Sequence, residues 1–285
     1  MSCYRYKVIN RTKTPILKNV DVLLVLTMED NYRFNEDPFL MNLAKKTIIQ
    51  YNKGFKKGKK PDSIKSSCQD LVHANYMAFK YLKKYNNVII LEDDALVVNN
   101  DIRIYNEIDS FIKDKEFNCF SFGSIGLFSK YNNNFLKLGK SNIFTFGASQ
   151  AVIYSREART VLIKKIIRNN FGNGHMDGYY ISSLDNIFTY KYPLIVQIFP
   201  ATENRKEWIF FDGFFPIPIL IIVIKILKLD ICPYAWNYLY FLYRNIFLLL
   251  VLIILIKIII LIILIKLVQR KKHIINIKYN IQKNI

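Results

Sequence analysis

The stretch Val88-Ile89-Ile90-Leu91-Glu92-Asp93-Asp94 constrains this chain more than any other: an apolar run of strand character ends in three consecutive carboxylates. The chain around it is strongly basic, with a formal net charge of +19, so clustered acids run against its composition. Adjacent anions at the end of a buried strand repel one another and lose hydration. A bound divalent cation relieves both problems. Oxygen-rich sites of this kind suit Mg²⁺ or Mn²⁺, ions that commonly hold phosphates. The plain alternative is an acidic turn facing water.

The rest of the N-terminal part reads as strands alternating with helices. Residues 20–28 form a first buried strand centred on Leu23, Leu24, Val25 and Leu26, followed by a polar loop. The spacing of Phe39, Leu43 and Ile48 predicts a helix over 38–51, and 53–60 is a Gly/Lys-rich loop. Ser67-Cys68-Gln69-Asp70 looks like a helix start, with Leu71, Ala74, Ala78 and Leu82 on one face of a helix reaching about residue 85. A second amphipathic helix is expected over 101–112, a strand over 117–122, and another within 144–154. A helix capped by Ser155 follows, and a last strand lies over 193–199. This alternation argues for an α/β fold with a mostly parallel sheet, in which ligands sit beyond the carboxyl ends of the strands. Glu92, Asp93, Asp94 and the loop after Met28 belong at such an end.

Several function classes find no support. The Lys, Asn, Ile, Tyr and Phe usage suggests AT-rich codon bias, which weakens a nucleic-acid reading of the charge; no helix-turn-helix or zinc-finger spacing is present. Cys3, Cys68, Cys119 and Cys232 lack paired zinc or disulfide-scaffold spacing, and reduced thiols fit best. There is no nucleophile elbow, phosphate-binding loop or dinucleotide fingerprint.

Residues 246–268 are almost entirely Ile, Leu and Val, interrupted by Lys257 and Lys266. That length suffices for a transmembrane helix, at about 1.5 Å per residue. Residues 210–229 form a second apolar stretch containing Pro216 and Pro218, which could be a span, a re-entrant segment or an interfacial helix. Tyr234, Trp236, Tyr238, Tyr240 and Tyr243 between them suit the headgroup region. The basic tail 269–285 is expected in the cytosol by the positive-inside rule. The N-terminus has no apolar signal region, so the N-terminal domain is expected in the cytosol too. A hairpin of two membrane segments, 209–245 and 246–268, satisfies both.

The segment Cys68-Gln69-Asp70-Leu71-Val72-His73-Ala74, followed by a helix and then Leu91-Glu92-Asp93-Asp94-Ala95, resembles glycosyltransferase family 25. It resembles related glycosyltransferase-like proteins of large DNA viruses more closely. Two later stretches share in this: Gly147-Ala148-Ser149-Gln150-Ala151-Val152-Ile153-Tyr154-Ser155, and Pro193-Leu194-Ile195-Val196-Gln197-Ile198-Phe199-Pro200-Ala201-Thr202-Glu203-Asn204-Arg205 with Trp208 beyond. The likeness covers about residues 20–208; bacterial members have a closer Cys/His spacing than Cys68 and His73. It implies a GT-A-like (Rossmann-like) domain over 1–208, a nucleotide-sugar donor such as a UDP-sugar, and Mn²⁺ or Mg²⁺. The acceptor would be a hydroxyl of a glycan, protein or lipid. Glu92 and Asp94 match the metal-holding motif, and Asp93, pointing the other way from a regular strand, would contact sugar or ribose.

Further candidates each have a plainer role available. His175 and Asp177 follow a Gly172-Asn173-Gly174 loop; Asp177 suits a catalytic base, or simply a helix cap. Asp70 and His73 precede the acidic strand and could line the donor pocket, or cap and pack a helix. Thr27, Asp30 and Arg33 follow the first strand, where a uridine or ribose would approach, or they form a solvated loop. Gln197, Glu203 and Asn204 flank the last strand, touching substrate or fixing a loop. Two other functions compete: a non-catalytic membrane or virion scaffold retaining the fold, and a metal-dependent phosphoesterase.

Overall fold

The computed structural model of the chain describes residues 3–9, 14–30, 37–55, 57–123, 128–139, 150–172, 175–197, 251, 253–263 and 265–266. The chain divides into two units, Met1–Tyr240 and Phe241–Ile285.

In the first unit the elements are β1 (Tyr4–Ile9), β2 (Val22–Met28), α1 (Pro38–Met41), β3 (Lys46–Asn52), α2 (Ser67–Tyr81), β4 (Val88–Glu92) and β5 (Ala95–Val97). Then come α3 (Ile102–Asp114), β6 (Cys119–Ser121), β7 (Phe128–Lys130), β8 (Phe135–Leu138), β9 (Ala151–Tyr154) and α4 (Arg156–Arg168). A π-helical turn (Met176–Tyr180) runs into a short 3-10 turn (Ile181–Ser183), and β10 (Ile187–Tyr190) and β11 (Ile195–Gln197) follow. Nine strands form one sheet in the order β1-β3-β2-β4-β9-β6-β10-β8-β7, and β5 and β11 form a separate pair.

The α/β class holds, but the sheet is mixed rather than mostly parallel. β2 runs parallel to β3 and β4, and β6 to β10. β9 enters antiparallel between β4 and β6, and β1, β7 and β8 add antiparallel edges. The expected helix over 38–51 is a second departure. Only Pro38–Met41 is helical, capped by Asp37, whose carboxylate accepts from Phe39 N at 2.7 Å. The chain then enters β3. Thr47, Ile48 and Ile49 are β-branched and all buried, a composition that favours a pleated strand over the helical spacing.

The central strands are apolar on both faces because both faces are covered. On one side Leu23, Val25, Ile49, Ile89 and Leu91 meet Leu40 of α1 and Tyr105, Ile108 and Ile112 of α3. On the other, Val22, Leu24, Ile48, Val88 and Ile90 meet Val72, Phe79 and Leu82 around α2, Leu162 and Ile166 of α4, and Met176 and Tyr180. Ser155 caps α4 as the sequence marks, accepting from Ala158 N at 3.1 Å, and Asp101 opens α3, accepting from Arg103 N at 3.0 Å. α2 is capped one residue before the expected Ser67 start, by Ser66, which accepts from Gln69 N at 3.2 Å.

One buried cation holds the end of α2. Arg159 is 2 % exposed. Its guanidinium donates to Asn86 O and Tyr154 O, each at 2.9 Å, and to Tyr85 O at 2.5 Å. The Tyr85 and Asn86 carbonyls lie in the turn past the end of α2, and that of Tyr154 ends β9. Burial lowers the Arg159 pKa to about 10.

In the second unit, residues 251, 253–263 and 265–266 are helical. Ile254, Ile259, Ile260, Leu261 and Ile263 are each more than half exposed, and Leu255, Ile256, Ile258 and Ile262 about half. No helix of the described residues is long and apolar enough to cross a membrane. The expected span 246–268 lies partly, and the stretch 209–245 wholly, outside the described residues.

Candidate functional site at the carboxyl ends of β2 and β4

β2 is flanked by the two strands that follow it in the parallel part of the sheet. The chain reaches β3 through α1 on one face, then crosses back to β4 through α2 on the other. Connections therefore diverge beside β2, the arrangement that in open α/β sheets places ligands beyond the carboxyl ends of the strands. β2 ends there in Thr27 and Met28, and β4 in Glu92, with Asp93 and Asp94 forming the turn that follows.

The two neighbouring strand ends are joined by a side-chain bond. Thr27 Oγ1 donates to Asp93 Oδ2 at 2.7 Å, and Thr27 is 4 % exposed. Glu92 N donates to Gln150 O at 2.8 Å, carrying the β4–β9 ladder one residue further. Strand alternation puts Glu92 on the α2/α4 face, with Ile90, and Asp93 in the turn reaches Thr27 of β2. Asp94 is buried in the turn, beyond the reach of strand alternation.

The chain leaves this turn directly into β5, which pairs with β11 so that Ala95 faces Gln197. This small sheet is bound to the large one at a tight junction. Leu194 N donates to Phe122 O at 2.7 Å. The Gln150 amide donates to Gly123 O at 3.2 Å and Ile195 O at 3.1 Å. A Cβ on Gly123 would stand 1.9 Å from Ile195 O, a backbone atom that no side-chain rotation can clear. Gly123→Ala is therefore expected to lower stability by about 2 kcal/mol or more, read as a lower urea midpoint.

The other predicted residues fall in different places. Asp177 lies in the π-helical turn, half-buried, and accepts from its neighbour Gly178 N at 2.8 Å. Burial pushes the Tyr154 hydroxyl well up, with Cys119, Glu92 and Asp177 adding to the shift, so both carboxylates lie within electrostatic reach of that ring. His175 is exposed at the start of the turn, and its side chain makes no capping bond. Asp30 pairs with Lys57 on the surface. Arg33, Glu203 and Asn204 lie outside the described residues.

Asp70 and His73 are internal, which departs from the expectation that they line a donor pocket. Asp70 sits in a buried ion pair with Lys60 at 2.5 Å and accepts from Asn52 Nδ2 at 3.1 Å. The carboxylate thus meets the positive end of α2 and a lysine, and pins the Gly/Lys-rich loop. His73 Nδ1 is 2.7 Å from Tyr4 Oη, and its ring stacks on Tyr76 and packs against Tyr4 and edge-on to Phe171. It helps fix β1 onto α2. Burial, with Lys60 and Lys80 nearby, lowers its pKa from 6.5 to about 4. The folded state thus holds fewer protons on this group than the unfolded chain does. Its contribution to stability is complete above pH 6.5 and is lost as pH falls through about 4. Urea midpoints should fall over that window, and His73→Phe should flatten that part of the profile.

Among the described residues, no group of three or more His, Cys, Asp or Glu is arranged to hold a metal ion. Sequence reasoning missed Gln150 as an organising residue. It lies inside a stretch quoted above, but only the fold shows that its amide ties β6 and β11 together beside Glu92.

No family model and no curated protein matches the chain. Among solved structures the chain is similar to "Crystal Structure of A197 from STIV", at 12 % identity and a TM-score of 0.38. That match covers 60 % of this chain and 81 % of the other. A similarity so slight carries no argument about fold or function.

Proposed function

We propose that the chain is a metal-dependent glycosyltransferase with a GT-A-like domain. It moves a sugar from a nucleotide-sugar donor, a UDP-sugar, to a hydroxyl of a glycan, protein or lipid acceptor. The observation that carries this reading is the placing of Glu92, Asp93 and Asp94 at the diverging connections beside β2, with Thr27 bonded to Asp93. A nucleotide bound beyond such strand ends presents its phosphates to them.

The donor set suits a hard cation. It offers carboxylate oxygens and no sulfur or imidazole at the turn. Mg²⁺ commonly takes one or two carboxylates and completes its shell with water and substrate phosphate, so a third protein ligand is not required. Asp94 and Glu92 would hold the ion, which when bound supplies Lewis-acid neutralisation of the departing diphosphate. Asp93, oriented by Thr27, would accept from a ribose or sugar hydroxyl. Asp177, on the same face as Glu92, is the candidate base for the acceptor hydroxyl.

Membrane attachment belongs to the same proposal. Apolar exposure on the described C-terminal helix is not confined to one stripe. Lys257 and Lys266 are nine residues apart, about two and a half turns, and so stand on opposite sides. A helix lying in the interface needs a continuous polar face, which this one lacks. That favours insertion, with the basic tail on the cytosolic side.

The experiment is donor hydrolysis by the detergent-solubilised full chain with Mn²⁺, across common nucleotide sugars. Release of UDP that stops on chelation is expected. Inactivity with every donor, together with no binding of UDP, would overturn the reading.

A further inference from the structure

The two helical faces of the sheet differ in charge. On α3 and just past its end the exposed charges balance: Arg103, Lys113 and Lys115 stand with Glu107, Asp114 and Glu116. On the opposite face they do not. Lys80, Lys83 and Lys84 are exposed at the end of α2 and in the turn after it. Arg156, Lys164 and Arg168 are exposed along α4, and Lys165 is half-buried among them. Glu157 is the one exposed acid among the described residues of these segments. Codon bias toward lysine would load both faces alike, so the asymmetry belongs to the fold. The basic segments form one surface: α2 and α4 cover the same face of the sheet, and Arg156 Nη2 donates to Lys84 O at 2.9 Å.

Apolar side chains are set into this charge. Val161 and Ile167 are 50 % and 54 % exposed. Val161, Lys164 and Arg168 follow at i, i+3 and i+7, and Ile167 stands three residues from Lys164, so all four share the outward side of α4. Beside them Lys165 Nζ donates to Tyr179 O at 3.2 Å and lies 4.3 Å from the centre of the Tyr179 ring, which is also exposed. Long cationic side chains flanking aliphatic ones, with an amphipathic ring alongside, suit a helix lying in the headgroup layer of a membrane. A second copy of this face would meet its own positive charge. A nucleic acid would take the cations but gains nothing from Val161 and Ile167. The chain also carries an apolar helix in its second unit whose exposure is not confined to one stripe.

We propose that the α2/α4 face of the first unit docks on anionic lipid headgroups, with α4 against the surface. The proposal takes from the reading above only that the chain meets a bilayer; the donor chemistry plays no part in it. Lysine and arginine close to an anionic leaflet each add attraction, and Val161 and Ile167 enter the headgroup layer.

The test is fluorescence from an environment-sensitive thiol label at Val161→Cys, at Ile167→Cys and, as a control on the exposed side of α3, at Asn106→Cys. It uses the full chain in a Cys232→Ser background, since Cys3, Cys68 and Cys119 are buried. The chain is transferred from detergent to vesicles of phosphatidylcholine, alone or mixed with phosphatidylserine. Labels at positions 161 and 167 are expected to shift to the blue with the serine lipid and not without it; the label at 106 should shift in neither. Raising the salt to about 1 M, where screening acts within about 3 Å, should abolish the shift, as should Lys164→Glu combined with Arg168→Glu. No shift in anionic vesicles, an equal shift in neutral ones, or the same shift at 106 would overturn the proposal. So would a shift given by duplex DNA or RNA and not by anionic vesicles, which would assign the face to nucleic acid. Flotation of the same samples separates this proposal from insertion of the second unit. A chain that floats with both vesicle types while its labels stay unshifted overturns the docking face and leaves insertion standing. A chain that floats only with anionic vesicles and shifts both labels supports the docking face and overturns insertion.

Discussion

Asp94→Asn is expected to lower Mn²⁺-dependent donor turnover on the order of 100-fold or more, about 3 kcal/mol of transition-state stabilisation. The substitution keeps shape and hydrogen-bonding capacity while removing one negative charge. Asp94 is buried in the turn that follows β4. Mn²⁺ should raise the wild-type melting temperature and leave that of Asp94→Asn unmoved, because only an ion bound to the native state shifts the folding equilibrium. Thr27→Val gives a graded control. It removes the bond to Asp93 and leaves Glu92 and Asp94 intact, so its effect should be smaller and should fall on sugar-nucleotide affinity more than on Mn²⁺ affinity. Activity retained by Asp94→Asn would contradict the assignment of the ion to this turn.

The largest effect on stability is expected at Arg159, far in sequence from the acidic turn. Arg159→Met keeps an unbranched apolar stem and deletes the guanidinium. The carbonyls of Asn86 and Tyr154 then lose this donor between α2, α4 and the start of β4, and that of Tyr85 keeps only the longer bond from Arg156 Nε at 3.3 Å. Each carbonyl left without a donor costs about 1–3 kcal/mol, and the lost packing of the guanidinium adds to this. A loss of about 3 kcal/mol is therefore expected in urea unfolding. Arg159→Lys should recover only part of it, because an ammonium cannot reach divergent carbonyls with a planar fork. A fall in urea midpoint no greater than that of a surface substitution would show that the helix end is held by something else.

The parts of the fold legible in the sequence were those where local chemistry and tertiary burial agree. β2 and β4 are continuous apolar runs because helices cover both faces of the sheet. α3 and α4 begin where Asp101 and Ser155 say they should. β3 was hidden because Phe39, Leu43 and Ile48 happen to fit a helical period, while Thr47, Ile48 and Ile49 carry the opposite propensity within the same window. β1 was missed because its edge position leaves alternate residues exposed, and Arg5 and Lys7 dilute the signal. The antiparallel insertion of β9 between β4 and β6 depends on pairings distant in sequence, which no local pattern encodes.

The candidate site shows the same division. A triplet of acids ending an apolar strand is visible in the sequence because it opposes the surrounding composition. The bond from Thr27 to Asp93 needs β2 and β4 to be neighbours, which only the sheet order provides. Asp70 and His73 looked like site residues for the same reason that they are structural: each is polar on a helix face that turns out to be buried, and each has an internal partner. Gln150 gave no signal, since a glutamine matters here only through the close approach of Gly123 and Ile195.

The central claim is that carboxylates gathered where β4 opens are tolerated because they share a divalent ion with a nucleotide diphosphate. Calorimetric titration of UDP into the full chain, with Mn²⁺ and then with chelator, tests it most directly. The account predicts saturable binding that is lost or much weakened on chelation and absent from Asp94→Asn. UDP affinity that is indifferent to both Mn²⁺ and Asp94, or no binding under either condition, would contradict it.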